Sequence, residues 1–159
     1  MKAIFATDLS GGFGYKGRLP WAKVAEDLNF FKLKTSNHII VMGRHTWNCL
    51  PQLPYRIPIV ISSIDIEATQ CLEPDNHIEE LLELEGLTGD KEIFLIGGAT
   101  LITVEALEAC DEIFHTTIKS NNKADVKVAV EVIAYLESLQ CDILLDTAKC
   151  TIRRFYAQS

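Results

Sequence analysis

The sequence predicts a single-domain α/β protein with a mainly parallel central sheet, helices on both faces and a C-terminal strand that runs antiparallel. Short apolar segments rich in Ile, Val and Phe recur along the chain, which is typical of strands buried on both faces. Segments of helical periodicity separate them, and this alternation favours right-handed crossovers between parallel strands. The last two apolar segments, Cys141–Leu145 and Thr151–Tyr156, are too close in sequence for a crossover, so the last strand is expected to be antiparallel at one edge.

The individual elements follow from the same patterns. Strands are predicted at Lys2–Ala6, His38–Met42, Ile57–Ile61, Ile93–Ile96 and Ile113–Ile118. Helices are predicted where apolar residues recur at helical spacing, around Val24, Leu28, Phe31 and Thr35, around Leu81, Leu82 and Leu84, and around Leu101, Val104, Leu107 and Ala109. The chain has no internal repeat, low-complexity tract or linker, so residues 1–159 are expected to form one domain.

The composition argues against several classes of protein. Hydrophobic residues make up 48% and charged residues 23% of the chain, which is typical of globular proteins. The formal charge of −7, without a cluster of Lys or Arg, argues against nucleic acid or a membrane surface as a partner. No segment has the roughly 18 apolar residues that span a bilayer, and none reads as a signal peptide, so a cytoplasmic protein is expected. The five cysteines form no Cys-x-x-Cys pair and are expected to be reduced and buried.

A glycine-rich segment follows the first predicted strand. Gly12-Phe13-Gly14-Tyr15-Lys16-Gly17 satisfies the G-x-G-x-x-G pattern of dinucleotide sites. In such sites the last glycine opens a helix, whereas Pro20 disfavours a helix here, and no acidic residue stands near position 37. The segment is therefore interpreted as a mobile loop that can close over a ligand and exclude water.

Asp27 lies at the margin of the apolar face of the first predicted helix. A buried carboxylate is costly unless it is paired or functional. The pattern alone leaves open a structural role, in which Asp27 pairs with Lys23 or Lys34, and a functional role in binding or catalysis.

Two predicted junctions between a strand and a helix carry glycines. In Met42-Gly43-Arg44-His45-Thr46 a cation stands beside the N–H groups of a helix start, which favours a phosphate; an ordinary junction with a surface Arg is the alternative. Ser62-Ser63, after the next strand, could add hydroxyl donors. In Ile96-Gly97-Gly98-Ala99-Thr100 the glycines let a ligand approach the backbone, or let helix and strand pack closely. Together the junctions predict a nucleotide site at the carboxyl ends of parallel strands.

The ordered set of these motifs resembles the dihydrofolate reductase family. The match spans residues 1 to about 118 and rests on Gly14-x-x-Gly17-x-Leu19-Pro20-Trp21, Asp27-Leu28-x-x-Phe31-Lys32, Thr35, Met42-Gly43-Arg44-x-Thr46-Trp47, Leu53-Pro54-x-Arg56 and Ile96-Gly97-Gly98. The resemblance implies that family's three-layer fold, with a sheet of about eight strands. It also implies NADPH-dependent reduction of 7,8-dihydrofolate to tetrahydrofolate in one-carbon metabolism, with hydride passing to C6 of the pterin and a proton to N5.

The resemblance implies a role for each matching residue. Asp27 would bind the amidine-like edge of the pterin and favour the proton at N5, with Trp21 and Thr116 supporting it through water. The other substrate contacts would come from Ile4, Phe5, Leu28, Phe31, Leu50, Leu53 and Ile96 as apolar walls, and from Arg56 as the partner of the glutamate carboxylate. The cofactor contacts would come from Ala6, Phe13, Gly14, Leu19, Gly43, Arg44, His45, Thr46, Ser62, Ser63, Ile96, Gly97, Gly98, Ala99, Thr100 and Leu101.

Further expectations follow from the resemblance. Arg44 would favour NADPH over NADH, and antifolates such as methotrexate or trimethoprim would inhibit a monomeric enzyme that uses no metal ion. Glu26 is also acidic, but Asp27 is chosen because Leu28, Phe31 and Lys32 follow it in the family's phase.

Three departures from the family pattern are visible. Ile102 stands where an aromatic residue is usual, so a polar contact to the cofactor is lost and turnover is expected to be low. Asp125-Val126-Lys127-Val128 replaces the usual Gly-Asp-Thr-x-Phe-Pro segment, which brings into question the brace of the active-site loop, and the last hairpin is short.

Two alternative functions are considered. One is a non-catalytic or weakly active NADPH-binding homologue. The other is the sister reductase of riboflavin synthesis, which should lack the Leu-Pro-Trp loop and the Asp-Leu-x-x-Phe helix that are present here.

Overall fold

The computed structural model describes residues 1–50, 53–66 and 69–156. The strands are Lys2–Asp8 (β1), Gly12–Gly14 (β2), Ile39–Gly43 (β3), Ile57–Ile61 (β4), Gln70–Leu72 (β5), Ile93–Gly97 (β6), Glu112–Ile118 (β7), Val126–Lys127 (β8), Cys141–Asp146 (β9) and Cys150–Tyr156 (β10). The helices are Ala25–Thr35 (α1), Arg44–Cys49 (α2), His77–Glu85 (α3), Val104–Glu108 (α4) and Val130–Glu137 (α5).

Eight strands form one twisted sheet in the order β5-β4-β3-β6-β1-β7-β10-β9. The first six strands in this order, from β5 across to β7, are parallel to one another. Strand β10 is antiparallel to both of its neighbours, β7 and β9. The predicted mainly parallel sheet and the antiparallel direction of the last strand are therefore confirmed. The last strand lies one position inside the sheet, because β9 takes the edge.

The side chains of the sheet divide between two apolar layers because successive residues of a strand point to opposite faces. On one face, Ile4, Phe94 and Phe114 pack against Phe30 and Phe31 of α1. On the other face, a larger core joins the sheet to α3, α4 and α5 through side chains such as Leu81, Leu107, Val132 and Leu136. Burial of each such side chain contributes about 1.5–3 kcal/mol, so both helical layers stabilise the sheet.

The charges of α1 suit its direction. Glu26 and Asp27 lie in its first turn, and Lys32 and Lys34 lie in its last turn. Acidic groups at the N-terminus and basic groups at the C-terminus of a helix interact favourably with its dipole. If one of the two acids binds a ligand, the other still interacts favourably with the dipole at the start of the helix.

Some elements differ from the sequence-based expectations. The strands β2, β5 and β8 and helix α5 were not predicted, and α4 begins only at Val104, after a turn that follows the glycine pair. The prediction of buried thiols is wrong for Cys49 and Cys141, which are exposed at the end of short α2 and at the start of edge strand β9. All five cysteines are free. Within the described ranges, no helix is both long and apolar enough to cross a membrane.

Candidate active site

Asp27 occupies the first turn of α1 and is half-buried against the sheet. Desolvation raises the pKa of its carboxyl group, while hydrogen bonding with the side chain of Thr116 on β7 opposes that shift. Neither Lys23 nor Lys34 forms an ion pair with it, and no other cation does so among the described residues. The structural alternative, an ion-paired Asp27, is therefore not supported.

Glu26 points elsewhere. Its Oε2 accepts a hydrogen bond from Thr147 Oγ1 at 3.2 Å, in the turn between β9 and β10. The two neighbouring acids of α1 thus have different surroundings, and Asp27 is the one that faces Thr116. This arrangement agrees with the choice of Asp27 over Glu26 that the sequence pattern favoured.

Trp21 anchors the segment before α1. It is buried in a cluster with Val24, Ile118, Cys150 and Ile152, and Ala6 packs against the same cluster. Thr116 pairs with Ala6 on one side and with Ile152 on the other, and is itself buried. The surroundings of Asp27 are therefore assembled from α1, β1, β7 and β10.

The apolar side chains expected at the substrate pocket belong to two adjoining clusters. Ile4 and Phe31 share the first cluster, and Leu50 and Leu53 share the second, while Ile96 packs against both. Leu28 is partly exposed beside them, with 37% of its surface accessible. These side chains form one apolar wall that continues from α1 to the segment after α2.

Phe5 does not join this wall. Because it follows Ile4 directly in β1, its side chain points to the opposite face of the sheet, where it packs near Phe13 and the ring of His115. The expectation that Phe5 lines the pocket with its side chain is therefore corrected. Its neighbour Ile4 has the orientation that the pocket requires.

Arg56 is held in place at the far end of the wall. Its Nε donates to Thr35 Oγ1 at 3.1 Å, one terminal nitrogen donates to Pro54 O at 2.9 Å, and the guanidinium lies 5.9 Å from the centroid of Phe31. Arg carries five N–H donors, so this arrangement orients the group and leaves donors for a carboxylate. Thr35 is buried, and its hydroxyl also donates to Phe31 O.

The carboxyl ends of β3 and β6 meet at glycines. A Cβ at Gly98 would lie 2.9 Å from Thr46 Oγ1, and a Cβ at Gly97 would lie 3.1 Å from the ring of Phe13. Gly97 also has a φ of +149°, which favours glycine. Ala99, Thr100 and Leu101 form the turn that leads from these glycines to α4.

The polar residues near the carboxyl ends of β3 and β4 differ in whether their donors are available to bind a phosphate group. Arg44, His45 and Ser63 are exposed, and Nε2 of His45 lies 3.8 Å from Cys49 Sγ. Arg44 and Ser63 are therefore the more available donors for an anionic group. The Ser62 hydroxyl instead donates to Ile64 O and accepts from Ile64 N. Ser62 is therefore already engaged by the backbone, and Ser63 is the better candidate for a phosphate contact.

The glycine-rich loop ends in a tight hairpin, which we call the lid tip, residues 15–18. Tyr15 N donates to Arg18 O at 2.8 Å and Arg18 N donates to Tyr15 O at 3.0 Å, with φ values of 50° at Lys16 and 77° at Gly17. This is the two-residue turn with left-handed central residues that matches the twist of paired strands. A Cβ on Gly17 would lie 3.3 Å from Cys49 Sγ, so the lid tip rests over the end of α2, and Leu19 beyond it is half-exposed.

The altered segment after β7 contacts and braces the lid, which we define as β2 together with the lid tip, residues 12–18. Strand β8 pairs with β2, Asp125 N donates to Gly14 O at 3.0 Å, and Asp125 Oδ2 accepts from Lys16 N at 2.9 Å. The doubt over the brace, based on the missing family segment, is therefore removed. The contacts are formed by the backbone of β8 and by the carboxylate of Asp125, which both belong to the altered segment.

Ile102 is almost fully buried in the core that joins the sheet to α4. Its N–H donates to Gly98 O at 3.2 Å, whereas its side chain has no polar atom to offer. The low turnover expected from Ile102 stays a prediction.

A second cavity and a metal site were considered as alternative functional sites, and the structure supports neither as well. A polar cavity of about 370 Å³ lies at the opposite, amino ends of the strands, lined by residues that include Lys2, Glu92, Glu112 and Arg154. Lys2 pairs with both acids, and Arg154 pairs with Glu112, so most of its charge is neutralised internally. No group of three or more His, Cys, Asp or Glu side chains in the described part of the chain could hold a metal ion.

An unpaired acid beside an apolar wall, with glycines and exposed cations at neighbouring strand ends, is the arrangement of an α/β enzyme that binds a nucleotide. The comparisons with known proteins specify that class. The family model described as dihydrofolate reductase matches residues 1–137. The chain belongs to the dihydrofolate reductase family, whose members are NADPH-dependent oxidoreductases.

Individual relatives agree with this assignment. The chain is 36% identical over 143 residues to a type A10 dihydrofolate reductase of Escherichia coli, covering 85% of this chain and 75% of that protein. It is 34% identical over 126 residues to a bifunctional dihydrofolate reductase-thymidylate synthase of Paramecium tetraurelia, covering 77% of this chain and 27% of that protein. A dihydrofolate reductase from Enterococcus faecalis, solved with NADP(H) and RAB-propyl, superposes with a TM-score of 0.77 at 25% identity, covering 100% of this chain and 97% of the other.

Proposed function

We propose that this chain reduces 7,8-dihydrofolate to 5,6,7,8-tetrahydrofolate. The observation that carries the proposal is Asp27, a half-buried carboxylate without a cationic partner among the described residues, which faces Thr116 beside an apolar wall. A pterin ring is flat and apolar on its faces and has N–H donors along one edge. A carboxylate at the end of an apolar wall binds that edge through charge-assisted hydrogen bonds.

The residues around Asp27 have distinct tasks in the proposed reaction. Asp27 orients the pterin and, as a negative charge in a water-poor site, favours the proton that N5 gains. Thr116 and Trp21 hold the acid and its surroundings in place. Ile4, Leu28 and Phe31 exclude water from the ring, and Arg56 binds the glutamate carboxylate at the far end. NADPH, when bound, supplies the hydride.

The other end of the site fits this cofactor. Gly97 and Gly98 lack the side chains that would block a close approach to the backbone, and Thr46 lies directly against Gly98. Arg44 and Ser63 offer a cation and a hydroxyl to phosphate groups. Phe13, Gly14 and Leu19 come from the lid side and would cover the bound cofactor.

Turnover of NADPH with dihydrofolate tests the proposal. The expected result for the wild-type protein is loss of the NADPH absorbance only when both compounds are present, with tetrahydrofolate as the product. Binding of NADPH without any oxidation in the presence of dihydrofolate would instead favour the non-catalytic homologue. Oxidation with a pyrimidine substrate of riboflavin synthesis, but not with dihydrofolate, would favour the sister reductase.

Arg44→Ala is expected to weaken NADPH binding by about tenfold or more, because a charge-assisted contact to the 2′-phosphate is lost. Binding of NADH, which lacks that phosphate, should change little. Titration of the quenching of Trp fluorescence by each cofactor measures both constants. Lys149→Ala is the matched loss of an exposed cation, because Lys149 lies in the turn between β9 and β10, and three strands separate β10 from the strand that leads to Arg44. An equal loss for NADPH and NADH would assign Arg44 to the pyrophosphate instead.

We further propose that the protein acts as a monomer in the cytoplasm and is inhibited by antifolates such as methotrexate or trimethoprim. The five free thiols support a reducing compartment. Competition of an antifolate with dihydrofolate, and sedimentation of the protein with and without NADPH, test the inhibitor and the oligomeric state separately.

A further inference from the structure

Asp8, at the carboxyl end of β1, is a buried acid that the proposed chemistry does not use. Its Oδ1 accepts hydrogen bonds from Ser10 N at 2.9 Å and from Gly12 N at 2.8 Å. Its Oδ2 accepts from Asn122 N and from Asn122 Nδ2, both at 3.1 Å. One carboxylate therefore binds four N–H donors from two separate segments of the chain.

The surroundings of Asp8 suit an ionised carboxylate. Desolvation raises the pKa of the group, but the hydrogen bonds from Gly12, Asn122 and Ser10 outweigh it and lower the pKa. A Cβ on Gly12 would lie 2.9 Å from both carboxylate oxygens, so only glycine lets this N–H reach the acid. No ion pair to Asp8 is found in the described ranges, so these N–H donors are its main compensation.

The two segments that meet at Asp8 lead into β2 and β8, which pair as a two-stranded ribbon beside the lid tip. Gly12 begins β2, which leads directly into the lid tip, and Asn122 precedes β8, which pairs with β2. An isolated two-stranded ribbon is marginally stable, and β8 has only two residues, with an irregular register opposite β2. The group that joins both strands at their base therefore has a large influence on whether the ribbon stays formed.

We propose that Asp8 and Asn122 are positioning residues that clamp the base of the lid and so set how long the lid stays closed over the cofactor. This inference rests on the proposed function only where it links the clamp to the time that the lid stays closed over the cofactor. The clamp itself is a property of the ligand-free protein and can be measured without any turnover.

The decisive variants exchange the two partners. In Asp8→Asn, the new amide cannot accept from all four N–H groups, so hydrogen exchange of the Gly12, Asp125 and Val128 amides should accelerate about tenfold or more, as expected for lost bonds to a charged acceptor. Asn122→Asp places two carboxylates together and should give a similar loss. The double exchange, Asp8→Asn with Asn122→Asp, restores only the bond between the two side chains, because the backbone N–H groups of Ser10, Gly12 and residue 122 still meet an amide. It should therefore recover part of the lost protection, and exchange should be slower than in either single variant.

Controls separate a loose lid from an unstable protein. Exchange of the core amides of Ile4 and Phe114 should stay unchanged under the same conditions. Asn76→Ala, an exposed asparagine before α3 whose side chain does not cap that helix, should leave the lid amides unchanged. Should Asp8→Asn fail to fold, Asn122→Ser keeps the backbone bond to Asp8 but replaces the amide, which bonds Asp8 and Ser120, with a shorter hydroxyl, and it should still accelerate exchange at Gly12. Unchanged lid exchange in a folded Asp8→Asn or Asn122→Ser variant would overturn the clamp.

The last step is tested by cofactor release. The dissociation rate constant of NADPH, measured by stopped-flow fluorescence, should rise about tenfold in the folded single variants and recover in part in the double exchange, while the affinity for dihydrofolate changes much less. An unchanged release rate alongside faster lid exchange would refute the link to the cofactor. A wild-type protein that does not bind NADPH would refute the proposed function, while the exchange result would still decide the clamp.

Discussion

Asp27→Asn is expected to lower kcat/KM for dihydrofolate about a thousandfold near neutral pH. The substitution keeps the size of the side chain but removes the charge that favours protonation of the substrate, and such groups contribute about 100- to 10,000-fold. Glu26→Gln is the matched control, because Glu26 is the adjacent acid of α1 and its carboxylate accepts a hydrogen bond from Thr147. A loss in Glu26→Gln as large as that in Asp27→Asn would show that the wrong acid had been chosen.

The pH dependence of the same variant gives a second test. Desolvation raises the pKa of Asp27 despite the opposing hydrogen bond with Thr116. With substrate bound, the carboxyl group and N5 share the proton that the reaction needs, so the hydride-transfer rate of the wild type is expected to fall as pH rises and the pair loses that proton. Asp27→Asn should lack this inflection in stopped-flow measurements across pH. Persistence of the inflection would place the titrating group elsewhere.

The same substitution should stabilise the ligand-free protein. Because the folded-state pKa is raised, the contribution of Asp27 to stability is present below its unfolded pKa and is lost as pH rises through the folded pKa. At neutral pH the ionised acid therefore lowers the free energy of unfolding. Asp27→Asn is expected to regain up to about 1 kcal/mol in urea unfolding at pH 7, as is common when a functional group is removed. A destabilised variant would show that Asp27 has a structural partner.

His115 is expected to make the protein sensitive to mild acid. Its ring is buried on β7, where burial and, to a smaller extent, the charge of Arg153 lower its pKa from 6.5 to about 3. The Thr7 Oγ1 lies 2.8 Å from its Nε2, and the ring of Phe5 packs at 4.9 Å. The unfolded chain takes up a proton below pH 6.5 that the folded chain cannot, so folding stability is lost as pH falls from 6.5 towards about 3.

The expected loss is about 1.4 kcal/mol per pH unit, or roughly 2 kcal/mol between pH 6.5 and pH 5. Urea unfolding at both pH values measures it. The double variant His115→Leu with Thr7→Val removes both polar partners and should unfold with a much weaker dependence on acid, whereas His77→Gln, at a partly exposed site, should behave like the wild type. An equally steep loss in the double variant would show that other groups are responsible.

The sequence was sufficient for the parts of the fold that local patterns determine. The strands around Ile4, Val41 and Phe114 are continuous apolar segments, and the structure has strands at each of them. Strand β5 has three residues, and its pairing with β4 is a tertiary contact with no periodicity of its own. Its absence from the prediction therefore reflects the limit of pattern reasoning.

The sequence indicated some residues of the candidate site and not others. Asp27 was singled out because an acid on an apolar helix face is unusual, but its proposed role, like that of Ile4, came from the family resemblance. Phe5 was misplaced although the alternation along β1 predicts the opposite face. Asp8 was missed, yet an acid that is followed within four residues by a glycine pair, after a buried strand, is a signal for a side chain that binds a turn.

The interior position of β10 has a consequence for folding during synthesis. Every other described strand precedes β10 in the chain, yet β10 lies between β7 and β9 and supplies Ile152 beside Thr116. A nascent chain that ends before this strand leaves one side of β7 without hydrogen-bond partners and lacks part of the packing around Trp21. The surroundings of Asp27 are therefore completed only after Tyr156 has emerged from the ribosome, so most of this protein is made before its active site can form.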